Sequence, residues 1–244
     1  TILEKISYPQ CNPYLACYYN HSYDPYNKNF LIEMEYIDGI EMFAFVVNSA
    51  NTKSNILYRL LVLIAKDIAE GLKYIHSKGI IHNDIKLENI IIENVSNIPK
   101  IIDFGLACNM KSDRDYCKSR SGSPNYIPPE ALIIPHKRYT ASDMWALGIV
   151  LYVGAMGFYP YTDLDKNLLF KKIKTNKPPK LLTTNITLNT IVNNLLIKDH
   201  TKRLTAEGVL DIIKSSNNHI KNVEFEEKSF VLLNREAMSS FLFI

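Results

Sequence analysis

The stretch from Ile81 to Asp103 carries His82, Asp84, Lys86, Asn89 and Asp103 itself, polar or charged residues of types that can do chemistry. Apolar runs surround them, Ile80-Ile81, Ile90-Ile91-Ile92 and Ile101-Ile102. Runs that short and that apolar read as buried strands, which leaves a short loop carrying two carboxylates, a lysine and an amide between them. The chemistry this set suits is phosphoryl transfer. It offers an acid that can accept a hydroxyl proton, a cation beside it, and an amide with a carboxylate for magnesium.

Such side chains need elements to hold them. Upstream, Ser54 to Lys78 carries Leu61, Ile64, Ala65, Ile68, Leu72 and Ile75 at helical spacing and is closed by Gly79, so a long amphipathic helix should lead into the loop. His76, near its end, reads as a capping or surface histidine rather than a ligand. At the start, Ile2, Leu3 and Ile6 fit a helix over Thr1–Ser7, broken by Pro9 and Pro13. Tyr14–Tyr19 and Phe30–Tyr36 are rich in aromatic and branched residues and read as strands, joined by a polar connector containing Asp24-Pro25. Downstream, Met144 to Thr162 has no charged side chain, which is the length of a membrane span. Asp143 and Asp163 bracket it, and Pro160 and three glycines lie within it, so a core helix is expected instead. Leu168–Lys174 and Leu188–Ile197 read as further helices.

HNDIKLEN, residues 82–89, resembles the protein-kinase catalytic loop H-R-D-L-K-x-x-N, and Asp103-Phe104-Gly105 resembles that family's D-F-G metal-binding turn. Alone, Asp-Phe-Gly fits an ordinary turn; the loop upstream, in the right order and spacing, gives it weight. The resemblance extends from Tyr14 to about Lys214. FLIEMEYIDGIEMF, residues 30–43, resembles the hinge between the two kinase lobes. It implies that Met34 stands beside the adenine pocket, that the backbones of Glu35 and Ile37 hydrogen-bond adenine, that Glu41 reaches the ribose or a substrate residue, and that Ile91 packs under adenine. Residues 108–132 resemble an activation segment, ending in a variant of A-P-E at Pro128-Pro129-Glu130. Ser123 then falls where a threonine usually contacts the catalytic Asp and Lys. The D-x-W-x-x-G helix is matched by Asp143, Trp145 and Gly148, and the closing arginine signature by Arg203. The resemblance implies a buried ion pair between Glu130 and Arg203, with His82, Phe104 and Asp143 as structural residues.

The implied fold is α+β and bilobal, mostly the helical large lobe with a remnant of the small-lobe antiparallel sheet. A partial kinase domain spans 1–214, with small-lobe remnant and hinge at 1–37 and large lobe at 38–214; residues 215–244 form a tail of unknown role. The implied activity is a serine/threonine protein kinase that moves the γ-phosphate of ATP to protein hydroxyls. Lys86, two residues after Asp84, marks the serine/threonine type. Asp84 acts as base, Lys86 neutralises the moving phosphoryl group, and Asn89 and Asp103 hold Mg2+. Two departures stand out. Asn83 replaces the arginine that in the family grips an activation-segment phosphate, and an amide cannot make a charged bidentate contact; activity is therefore expected to depend little on phosphorylation there. The glycine-rich loop and the V-A-I-K lysine are absent, with no glycine before Gly39. The chain therefore reads as a fragment, inactive by itself, with Leu15, Cys17, Leu31 and Met34 open to water.

Composition narrows the field further. With 244 residues, 47% hydrophobic and 22% charged, the chain can build one large core or two lobes. A net charge of +3 is too small to imply a nucleic-acid partner. Cys11, Cys17, Cys108 and Cys117 lack C-x-x-C spacing, which reads as reduced thiols in an intracellular compartment, cytoplasmic or nuclear, with no membrane insertion. Two other readings compete with the kinase. A pseudokinase or scaffold binding a partner through its large lobe is favoured by Asn83 and the missing small lobe, and opposed by the full set Asp84, Lys86, Asn89 and Asp103. A small-molecule phosphotransferase shares the H-x-D…N…D pattern but usually lacks the S-G-S-P-N-Y-I-P-P-E and D-x-W-x-x-G stretches.

Overall fold

A computed structural model describes residues 1–49, 54–111, 115–119 and 121–217. Ser112, Arg114 and Arg120 of the activation segment, and nearly all of the tail, lie outside the described residues. The chain begins with α1 (Ile2–Ser7), where the Thr1 hydroxyl accepts the Glu4 N–H at 3.2 Å and the Glu4 carboxylate reaches back in a capping box. A two-stranded antiparallel hairpin follows, β1 (Tyr18–Asp24) and β2 (Asn29–Met34), paired from Tyr18↔Met34 to Asp24↔Asn29. The expected first strand is therefore shifted. Tyr14–Ala16 does not pair with β2, because its backbone bonds Ile101 of the large lobe instead: Ile101 N–H to Tyr14 O at 2.9 Å, and Ala16 N–H to Ile101 O at 3.0 Å. That docking also corrects the expectation of open apolar faces. Leu15 and Cys17 are buried at 2% and 5% exposure, whereas Leu31 stays exposed at 54%.

The elements that carry the loop come next: β3 (Gly39–Glu41), α2 (Met42–Ser49), α3 (Asn55–Ser77), β4 (Ile80–Ile81), β5 (Ile90–Glu93) and β6 (Pro99–Ile101). β3, β5 and β6 form one antiparallel sheet, with Ile90 opposite Ile101 and Glu41 opposite Ile91. The short apolar runs are thus strands. The stripe Leu61, Ile64, Ala65, Ile68, Leu72 and Ile75 is fully buried along α3. The Ser54 hydroxyl caps α3 by accepting the Leu57 N–H. At its other end Gly79 takes φ +71, a left-handed turn that lets the chain leave the helix into β4.

Downstream lie β7 (Cys108–Asn109), β8 (Cys117–Lys118), β9 (Lys137–Arg138), α4 (Thr140–Met156), α5 (Lys166–Thr175), α6 (Ile186–Leu195) and α7 (Ala206–Asn217). β4 pairs with β7, and β8 with β9. α4 is buried from Ser142 to Ala155, as an all-apolar helix in a large core should be. Among the described residues no helix is long and apolar enough to cross a membrane. The expectation of reduced thiols is overturned. Cys11 is joined to Cys17, and Cys108 to Cys117, with Cα atoms 5.5 and 6.5 Å apart, distances a disulfide can span. Sequence spacing could not show this, since Cys108 and Cys117 meet only after β7 and β8 dock on separate partners.

Candidate active site

Asp84 is the hub. It is 7% exposed, and its side chain meets four groups. Lys86 Nζ lies 3.0 Å from Oδ2. Asn89 Nδ2 donates to Oδ2 at 3.2 Å and to the Asp84 carbonyl at 2.9 Å. Ser123 donates to Oδ1 through both its N–H and its hydroxyl, each at 3.1 Å. Burial alone would push the Asp84 carboxyl up, but the Lys86 ammonium and the Ser123 hydrogen bonds outweigh it and hold it below the usual carboxylate range. For Lys86 burial works toward the neutral form, and the Asp84 carboxylate overrides it, so the ammonium is kept. Asp84 is therefore an ionised, fixed acceptor.

The sheet explains how Asp103 comes to this hub. After Ile90 pairs with Ile101, the ladder takes one more step, Ile102 N–H to Asn89 O at 3.0 Å. Asp103 is thus the residue after the one bonded to Asn89. Asp103 takes φ 60, a left-handed conformation that aspartate tolerates, and its Oδ1 accepts the Gly105 N–H at 3.0 Å. Asp103 is exposed while Phe104 behind it is buried. Phe104 packs edge-on to His82, ring centroids 4.7 Å apart. His82 is fully buried, its Nε2 3.1 Å from the Ile102 carbonyl, and burial keeps the imidazole neutral by lowering its pKa. The amide of Asn89 and the carboxylate of Asp103 are hard oxygen donors, suited to a magnesium ion rather than a softer metal. Among the described residues no three His, Cys, Asp or Glu cluster closely enough to hold a metal unaided.

A second carboxylate shapes the loop from below. Asp143, at the first turn of α4, accepts the His82 N–H on Oδ2 and the Asn83 N–H on Oδ1, both at 2.9 Å. Its Oδ2 also lies 2.8 Å from His76 Nε2. His76, read as a capping or surface histidine, does lie in the last turn of α3, but it is half-buried, with its side chain 11% exposed, and is a direct partner of Asp143. No local signal could have shown this, because the two residues lie on different helices. Asn83, at φ 68, donates its side-chain amide to the Leu106 carbonyl at 3.0 Å. Arg203 binds Glu130 bidentately at 2.7 and 2.9 Å, its side chain fully buried, and lies 5.2 Å from the Trp145 ring.

The remaining sequence candidates belong to β2, β3, β5 and the stretch between β2 and β3. Met34 ends β2, half-buried, and Ile37 is 8% exposed. The Glu35 carboxylate pairs with Lys100 and accepts the Cys17 N–H, and its own N–H donates to the Cys17 carbonyl. Glu41 is exposed on β3, directly opposite half-buried Ile91.

This arrangement matches a known family. The family model for the protein kinase domain fits residues 1–212. The chain belongs to the protein kinase family. The kinase domain is 32% identical over 181 residues to CBL-interacting serine/threonine-protein kinase 1 of Arabidopsis thaliana, covering 72% of this chain and 39% of that protein. It is 30% identical over 218 residues to the maternal embryonic leucine zipper kinase of Xenopus laevis, covering 87% and 32%. It is also 35% identical over 159 residues to serine/threonine-protein kinase 40 of Gallus gallus, covering 64% and 37%. The matched part of the kinase chain thus spans between 32% and 39% of the length of these relatives.

Proposed function

We propose that this chain is the catalytic part of a serine/threonine protein kinase that uses ATP and Mg2+, with the domain over residues 1–214 and a C-terminal tail from 215. The observation that carries the reading is the clustering of Lys86, Asn89 and Ser123 on one ionised carboxylate, Asp84, with Asp103 following Ile102, whose N–H bonds the Asn89 carbonyl. In the proposed reaction the oxygen of a protein Ser or Thr forms a bond to the γ-phosphorus as the bond from that phosphorus to the ADP oxygen breaks. Asp84 orients the hydroxyl and takes its proton. Lys86 lies against Asp84 and faces the moving charge. Asn89 and Asp103 would hold Mg2+, whose chemistry is to bridge the phosphates and offset their charge. The nucleotide would lie between Met34, Glu35, Ile37, Glu41 and Ile91. Positioning and electrostatics supply most of the rate, since the transition state needs little covalent help.

The test is ATP-dependent phosphorylation of Ser/Thr peptides by the full-length protein. Asp84→Asn should lower turnover by about 10²-fold or more, the lower end of a general-base contribution. Tyrosine peptides should not be used. Near-normal turnover by Asp84→Asn would overturn the assignment.

A further inference from the structure

Arg138 is a charged residue that the reaction above does not use, yet it is only 3% exposed. It sits on β9, where Cys117↔Arg138 and Lys118↔Lys137 tie the activation segment to the strand that leads into α4. Its guanidinium turns back toward the loop and donates through Nη2 to the Ser121 carbonyl. Among the described residues it makes no direct ion pair, although Asp143, Glu130 and Asp84 all act on its charge. Burying a guanidinium without a paired carboxylate is costly, so something must be gained by it.

The geometry around Gly122 shows what. A Cβ on Gly122 would stand 3.1 Å from the Asn83 carbonyl and 3.2 Å from Arg138 Nη2. Gly122, at φ +119, is thus held between the catalytic loop on one side and the guanidinium on the other. Its neighbours are fixed at both ends, Ser121 by Arg138 and Ser123 by Asp84. Asn83 supplies no charge here; its amide is committed to Leu106, and its Oδ1 has no partner among the described residues. Arg138 stands on the same stretch of chain as Asp143, which grips the backbone of the catalytic loop. The stretch from β9 into α4 therefore bonds both the catalytic loop and the Ser121–Ser123 turn beside it.

We propose that Arg138 is a positioning residue, whose buried guanidinium clamps the Ser121–Ser123 turn onto the catalytic loop so that Ser123 stays bonded to Asp84. The inference rests on the kinase reading for its effect on turnover, but the clamp itself is a property of the fold. Because it is built from the chain's own groups, it closes without an added phosphate.

The experiment compares the full-length wild type with Arg138→Met and Arg138→Lys. Two things are measured: amide hydrogen exchange, and kcat and KM for ATP on a Ser/Thr peptide. In Arg138→Met the Ser123 amide should exchange at least about tenfold faster while the amides of α3 and α4 keep their rates. Turnover should fall at least about tenfold with KM for ATP changed by less than about twofold, the pattern of lost transition-state positioning. Arg138→Lys, which keeps the charge but not the planar fork, should fall between the two, and it serves alone if Arg138→Met does not fold. Unchanged Ser123 exchange in both variants would overturn the clamp. So would acceleration shared equally with α3 and α4, which would mark a merely structural residue, or an unchanged kcat. If the wild type phosphorylates no peptide, the kinase reading fails, and the exchange data still decide the clamp.

Discussion

Asp143 shows how one residue far along the chain sets the shape of the catalytic loop. It is 1% exposed, and its two oxygens take the His82 and Asn83 N–H groups and face His76. Burial favours its neutral form, but His76 and the bonds from the loop outweigh burial, so its carboxyl lies below the ordinary value of 3.8. A carboxylate held below its unfolded value stabilises the fold above that value, and this contribution is lost as pH falls through the folded one. Asp143→Asn should therefore lower stability near neutral pH by roughly 1–3 kcal/mol, the cost of a disrupted buried hydrogen-bonded group. The gap to wild type should narrow as the pH drops below 3.8. Urea unfolding midpoints against pH would check it; a gap that stays constant through that range would show that the charge on Asp143 is not what matters.

At the scale of elements, α4 is the core of the large lobe, and it lies close to its neighbours because of where its small residues fall. A Cβ on Gly148 would come within 2.9 Å of Leu195 Cβ and Leu196 Cδ2, and one on Gly154 within 2.7 Å of Leu61 Cδ2. Gly148 faces α6, and Gly154 faces α3. This spacing also explains why Met144 to Thr162 reads as a membrane span in composition yet packs as a core helix: the glycines match it to protein neighbours. Adding one methyl to such a contact forces side chains off their preferred rotamers, and overpacking of this kind costs about 1–3 kcal/mol. Gly148→Ala should lower the unfolding free energy by that amount, seen as a lower thermal or urea midpoint. A midpoint equal to wild type would mean that Leu196 moves aside freely and that the α4–α6 contact is looser than described.

For the molecule as a whole, Arg203 ties distant parts together. Besides Glu130, its guanidinium donates to the carbonyls of Ile197, Ala141 and Lys198. It therefore joins the end of the activation segment, the start of α4 and the turn before α7. Glu130 also accepts the Ser142 hydroxyl at 3.0 Å. Removing one side of such a buried pair strands the other charge, at a cost of about 3–5 kcal/mol. Arg203→Met should show that loss in urea unfolding, and Glu130→Gln added to it should recover part, because the unpaired carboxylate is gone. A cost for Arg203→Met below about 1 kcal/mol would show that the pair contributes no more than an exposed one.

The sequence by itself determined the parts whose information is local. Residue type and spacing identify His82, Asp84, Lys86, Asn89 and Asp103 as one chemical set, the apolar stripe of α3 announces its helix, and the isoleucine runs announce β4, β5 and β6. Only the tertiary structure decided what depends on contacts between distant segments. It moved Tyr14–Ala16 out of β1 and onto Ile101, paired the cysteines, and set His76 against Asp143. It also made Arg138, which no sequence motif singles out, a buried contact of Ser121. In each case the partner lies far away in sequence or across a turn of undetermined path. The energy that selects the contact, a backbone hydrogen bond or the desolvation of a charge, exists only once the chain has closed around it.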